Sequence, residues 1–116
     1  MKAGAQGRVV LVTCGELAEA RTIARKVVRK RLAGCVNIIL SPVESFYSWK
    51  GNLEKAREYL LLIKTTARRL PELEKQVKRL HSYETPEFIA LPIVAGSRAY
   101  LAWLQENVSR PGHEAR

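Results

Sequence analysis

Tyr59-Leu60-Leu61-Leu62-Ile63 decides the fold, because five apolar residues in a row cannot alternate between a core and water. Successive side chains on a strand point to opposite faces, so this segment presents apolar surface on both sides of its sheet. The run belongs to a long hairpin. Cys35 to Leu40 reads as a strand, breaks at Ser41-Pro42, resumes from Val43 to Trp49, turns at Lys50-Gly51-Asn52 and returns to about Thr66.

On the N-terminal side, Val9 to Cys14 is a short β-branched run, followed by helix-period apolar positions from Leu17 to Leu32 that stop at Gly34. On the C-terminal side, Pro71 suits a first helical turn, and Leu73, Val77 and Leu80 form an inward stripe. Phe88 to Val94 is a fourth strand, confined to an edge or a bulge by Pro92. Ser97 caps a last helix, Arg98 to Val108, with Tyr100, Leu101, Leu104 and Val108 facing inward. The order β-α-β-β-α-β is the ferredoxin-like arrangement of an α+β protein, with one helix appended. We expect a single domain over residues 9–108, a disordered segment at 1–8 and a flexible tail at 109–116.

Two helices cover only one face of a four-stranded sheet. Yet Val9 to Val12, Val36 to Leu40 and Phe88 to Val94 are as continuously apolar as the Tyr59 run. The second face therefore needs a cover, and the long hairpin should overhang its neighbours as unpaired edges. Both features predict an obligate oligomer.

Composition excludes several classes. The chain of 116 residues is 47% hydrophobic and 27% charged, and its apolar runs are too short to span a bilayer. Residues 1–8 show no secretory signal pattern, which predicts a cytoplasmic location and reduced Cys14 and Cys35. The two cysteines have no C-x-x-C partner, against a zinc ribbon or dithiol motif. The net charge of +9 comes largely from helix faces: six basic residues lie between Arg21 and Arg31, opposite Ala20, Ile23, Ala24, Val27 and Val28. Such faces attract polyanions without reading sequence. An RNA-recognition reading fails because the first and third strands carry aliphatics, apart from Tyr59, where stacking aromatics should sit. There is also no Gly-rich phosphate loop, Ser-His-Asp order or H-E-x-x-H helix, so a binding protein is expected rather than an enzyme.

Chemistry concentrates in His81-Ser82-Tyr83-Glu84-Thr85-Pro86-Glu87, which gathers one of two histidines, a tyrosine and two carboxylates. Imidazole and carboxylate bind borderline divalent metals or move protons near neutral pH. The same residues also suit an ordinary helix-to-strand loop. Tyr47 and Trp49 share a strand face and, with Tyr83 and Trp103, could line a cleft whose polar members are Glu58, Lys64, His81 and Glu84. That mix suits a small polar or anionic ligand, or equally an interface between subunits.

Through these residues the sequence resembles the CutA family of divalent-cation tolerance proteins. The resemblance rests on Val12-Thr13-Cys14, on Lys30 to Ile38, on Ser45-Phe46-Tyr47-Ser48-Trp49-Lys50-Gly51, and on Glu58 with Leu62-Ile63-Lys64-Thr65. It continues through His81 to Glu87, Leu91-Pro92-Ile93 and Tyr100-Leu101-x-Trp103. It implies a homotrimer whose sheets face inward and whose hairpins pair across subunits. It implies tolerance of divalent metals, copper above all, with ligands corresponding to Cys14, His81 and either Glu87 or Glu84. The family's trimer is also similar to that of PII signalling proteins, which hold small ligands between subunits. Two positions depart from the pattern: the motif's usual proline is Ser82, and Val12 stands where some members have cysteine, with Cys14 about 7 Å further along the same strand face.

Overall fold

The Tyr59-Ile63 run lies within β5 (Asn52–Thr66), a 15-residue strand around which the other elements assemble. The computed structural model describes residues 2–3 and 6–108. In chain order it comprises β1 (Lys2–Ala3), β2 (Gly7–Cys14), α1 (Leu17–Arg29), β3 (Cys35–Ile38), β4 (Val43–Trp49), β5, α2 (Leu70–Leu80), β6 (Ile89–Pro92), β7 (Ala95–Gly96) and α3 (Arg98–Asn107). The main sheet runs β3-β5-β2-β6, every neighbour antiparallel, which is the ferredoxin-like order. β4 pairs with the far half of β5, Asn52 to Glu58, beyond the reach of β2.

Register sorts the apolar run into two faces. Leu61 lies opposite Val12 and Ile38, and Ile63 opposite Val10 and Val36. Leu61, Ile63, Val10 and Val12 are fully buried in one core with Ala20, Ile23 and Val27 of α1 and Leu73 and Val77 of α2. Leu60 and Leu62 share the opposite face with Val9, Leu11, Ile89 and Leu91, and the last two remain 47% and 44% exposed. α1 and α2 lie on the other side of the sheet, and α3 reaches only the end of this face, where Tyr100 meets Cys35. The hairpin likewise leaves Phe46 and Leu53 exposed, and it stretches the subunit to 50 × 29 × 24 Å. Its two-residue turn has φ 51° at Lys50 and 83° at Gly51, the positive pair that a type I′ turn demands.

Several boundaries differ from the sequence reading. The stop of α1 is Arg31, at φ 59°, not Gly34: Leu32 N–H reaches Val27 O and Arg31 N–H reaches Val28 O, a Schellman closure. Gly34 is small for another reason, since a Cβ there would lie 2.7 Å from Leu104 Cδ1 of α3. β3 stops at Ile38 and β6 at Pro92, although Ile93 N–H still donates to Gly7 O of β2, and Pro92 turns its missing N–H to the open edge. Tyr100 is exposed rather than inward, and α3 packs through Leu104 and Val108. Before Val9, where disorder is expected, β2 already starts at Gly7 and Lys2–Ala3 pairs with Ala95–Gly96. The tail at 109–116 lies outside the described residues.

Leu61→Ala removes a fully buried side chain from this core. Urea unfolding should show a loss of about 2–5 kcal/mol, and a loss below about 1 kcal/mol would contradict the packing described.

Candidate metal centre and adjoining cavity

Three segments converge at the end of β2. Val10, Val12 and Cys14 alternate toward the helices, so Cys14 sits fully buried beneath α1 and α2. Glu19, in the first turn of α1, occupies the row that continues through Ile23 and Val27. His81 ends α2 in extended conformation, donating its N–H to Val77 O, and its side chain is fully enclosed. One sulfur, one carboxylate oxygen and one imidazole nitrogen from these residues lie within 4.8 Å of one another.

Hydrogen bonds assign the imidazole protonation. Nε2 lies 2.7 Å from Thr13 O, which can only accept, so Nε2 carries a proton. Nδ1 accepts from Tyr83 N–H at 3.0 Å and faces Glu19 Oε2 at 3.3 Å. Glu19 Oε1 accepts from Ser82 N–H at 3.2 Å, while Oε2 is buried with no hydrogen-bond donor. Burial first, then the charges of Glu19 and Glu58, push the Cys14 thiol up to about 12.

This donor set fits a borderline or soft divalent ion. Two ligands at about 2.0 Å from a tetrahedral ion stand about 3.3 Å apart, the separation of Nδ1 and Oε2. An Nε2–H bond to a backbone carbonyl is also how metal-binding histidines hold the other nitrogen free of protons. The orphaned Oε2 is an acceptor that a cation would satisfy. Against this, a metal must take the lone pair now facing Tyr83 N–H and displace the Cys14 proton.

The other sequence candidates lie elsewhere. Thr13 points to the opposite face of β2 from Cys14, into a cavity of about 620 Å³. Glu84 and Glu87, expected as metal ligands, line that cavity with Tyr47, Trp49, Glu58 and Tyr83. Lys64 instead donates to Asn37 Oδ1 on β3, and Trp103 stacks on Tyr100 with ring centroids 5.4 Å apart. Tyr83 connects the two regions: its ring lies 4.7 Å from that of His81, and its hydroxyl donates to Glu58 Oε2 at 2.9 Å. Burial, then the hydrogen bond and charge of Glu58, hold the phenol above its usual range. The Glu87 carboxyl is raised by burial and then by Glu58.

Glu19 is the residue that sequence reasoning missed. Its signal is a carboxylate four residues before Ile23 and eight before Val27, in a stripe otherwise apolar.

Known proteins share this chain's sequence and fold. The family described as CutA1 divalent ion tolerance protein matches residues 8–107. The divalent-cation tolerance protein CutA of Thermus thermophilus is 50% identical over 99 residues, 85% of this chain and 95% of that protein. A solved structure of the divalent cation tolerance protein Cut A1 from Thermus thermophilus superposes with a TM-score of 0.86 at 48% identity, covering 89% of this chain and 99% of that one. The periplasmic divalent cation tolerance protein CutA from Archaeoglobus fulgidus gives 0.85 at 38%, again over 89% and 99%.

The two thiols should differ sharply in reactivity. With its thiol pushed up to about 12 and fully buried, Cys14 holds only about 10⁻⁴ of its population as thiolate at pH 8. Iodoacetamide on the folded protein, followed by peptide mass spectrometry, should label the half-buried Cys35 first. Equal labelling rates would contradict the burial of Cys14.

Proposed function

The chain belongs to the CutA1 divalent ion tolerance protein family, and from that premise we propose that it is a homotrimeric, metal-responsive protein that holds a divalent ion, copper above all, on Cys14, Glu19 and His81. The observation that carries the reading is the convergence of a sulfur, a carboxylate oxygen and an imidazole nitrogen within 4.8 Å, with one buried oxygen lacking a donor. Sulfur and imidazole favour copper over magnesium or calcium. The protein binds rather than catalyses in this reading. Its two free thiols favour a reducing compartment, the cytoplasm, although the Archaeoglobus fulgidus relative is described as periplasmic. No helix among the described residues is long and apolar enough to cross a membrane. Nucleic acid would be held through charge alone.

A second reading, a PII-like small-molecule sensor, is favoured by the cavity beside Tyr83. In a trimer this cavity would open toward the cleft between subunits. The trimer reading itself is supported by the uncovered Leu60, Leu62, Ile89 and Leu91 face and by the overhanging hairpin.

Calorimetric titration with copper should show affinity reduced at least about tenfold in Cys14→Ser, His81→Ala and Glu19→Gln, with Glu84→Gln and Glu87→Gln near wild type. Wild-type affinity in both Glu19→Gln and His81→Ala, with the fold intact by circular dichroism, would refute the site.

Sedimentation should find a trimer at micromolar concentration. Leu62→Lys puts a charge on the uncovered face without entering the helix-side core, and it should dissociate the assembly while secondary structure persists. A wild-type monomer would overturn the assembly reading.

A further inference from the structure

The cavity beside Tyr83 carries charge of one sign. In a chain of net +9, its ionisable lining consists of Glu58, Glu84, Glu87, Tyr47 and Tyr83, with no Lys, Arg or His. Within one subunit, the cationic members of the cleft expected from sequence do not line this cavity. Lys64 is bonded to Asn37, and His81 turns to the other face of β2.

Glu58 is the informative member. It is only 6% exposed, its Oε2 accepts one hydrogen bond from Tyr83, and no cationic side chain pairs with it among the described residues. A buried carboxylate is costly unless a positive group faces it. Its charge also contributes to raising the carboxyl of Glu87, a repulsion that a cation between them would relieve.

The geometry also says what kind of cation. Among the described residues, only Cys14, Glu19 and His81 form a trio of ligand atoms within 4.8 Å of one another, so the three cavity carboxylates stand too far apart to share one metal ion. The walls are aromatic instead: Tyr47, Trp49 and Tyr83 line the cavity, and Lys50 Nζ lies 5.8 Å from the Trp49 ring centroid, so that ring already accepts a cation. Rings attract the diffuse charge of an alkylated ammonium while also burying its methyl groups. A cavity of about 620 Å³ is within the range of small-molecule sites and far larger than a bare ion needs.

We propose that this cavity binds an organic ammonium ion, its charge facing Glu58 and its alkyl groups against Tyr47 and Tyr83. The proposal rests on the small-molecule reading of the cavity and gives it a ligand class. Its residues are not those of the metal centre, which lies on the opposite face of β2.

The test compares tetramethylammonium with tert-butanol, an uncharged molecule of similar size, and with acetate, by calorimetry and tryptophan fluorescence on the intact protein. Tetramethylammonium should bind, with tert-butanol and acetate at least about tenfold weaker. Glu58→Gln should weaken tetramethylammonium about tenfold, whereas Lys78→Gln, at an exposed position on α2, should leave it unchanged. Tyr47→Leu, at a 42% exposed position, should also weaken it and covers the case in which Glu58→Gln fails to fold. Preferential binding of acetate or tert-butanol would overturn the ammonium class while keeping a ligand cavity. Binding of no probe would overturn both. Tetramethylammonium binding that survives Glu58→Gln and Tyr47→Leu unchanged would place the ion elsewhere and refute the site.

Discussion

Strict alternation along the β2–β5 pair is the constraint on which the rest depends. Leu61 and Ile63 meet Val12 and Val10 on the helix side, and Leu60 and Leu62 meet Thr13 and Leu11 on the other. A slip of one residue would exchange the faces, moving Cys14 out of the core and Thr13 into it. The 15-residue length of β5 adds the second consequence. Its first half outruns β2 and carries β4 alone, so the hairpin that walls the cavity is an extension of the strand that anchors the core.

Alternation also explains how two chemically unlike sites lie so close together. Cys14 and Thr13 are neighbours in sequence, yet one faces Glu19 and His81 while the other faces Glu58 and Glu84. The main link across the strand is Tyr83, whose N–H serves His81 and whose hydroxyl serves Glu58. A metal on Nδ1 would compete with the first bond, and loosening the second would change how Glu58 is satisfied. The two regions therefore share one residue's conformation, which is the physical requirement for any coupling between them.

Most of the fold was legible in the sequence, because it is written in periodicity. The Tyr59-Ile63 run, the helix stripes and the Lys50-Gly51 turn each have a pattern that local physics interprets. What was not legible is tertiary. Gly34 looks like a helix stop, but Arg31 takes the left-handed position and Gly34 yields space to Leu104, a residue seventy positions away. The site shows the same division. Cys14 and His81 were identifiable by residue type, and Glu58, Tyr47, Trp49 and Tyr83 by face. Lys64 and Trp103 do not join the cavity within one subunit, because Asn37 and Tyr100 hold them, which nothing local reveals.

The third member of the proposed metal centre is not the one that transferring the motif residue by residue would supply. By analogy a glutamate from the loop after His81 completes the set, but that loop runs along the cavity face with Glu84 and Glu87. The carboxylate beside His81 comes from α1, and Ser82 is what makes it tolerable. Ser82 N–H donates to Glu19 Oε1, a bond that the motif's usual proline could not make. With proline there, Glu19 would lose its backbone donor and keep only the Cys14 thiol as a hydrogen-bond partner, a poor exchange for a largely buried carboxylate. Cys14, Glu19 and Ser82 therefore form one interdependent group. Of the two departures from the family pattern visible in the sequence, at Val12 and Ser82, it is Ser82 that supplies the donor Glu19 uses.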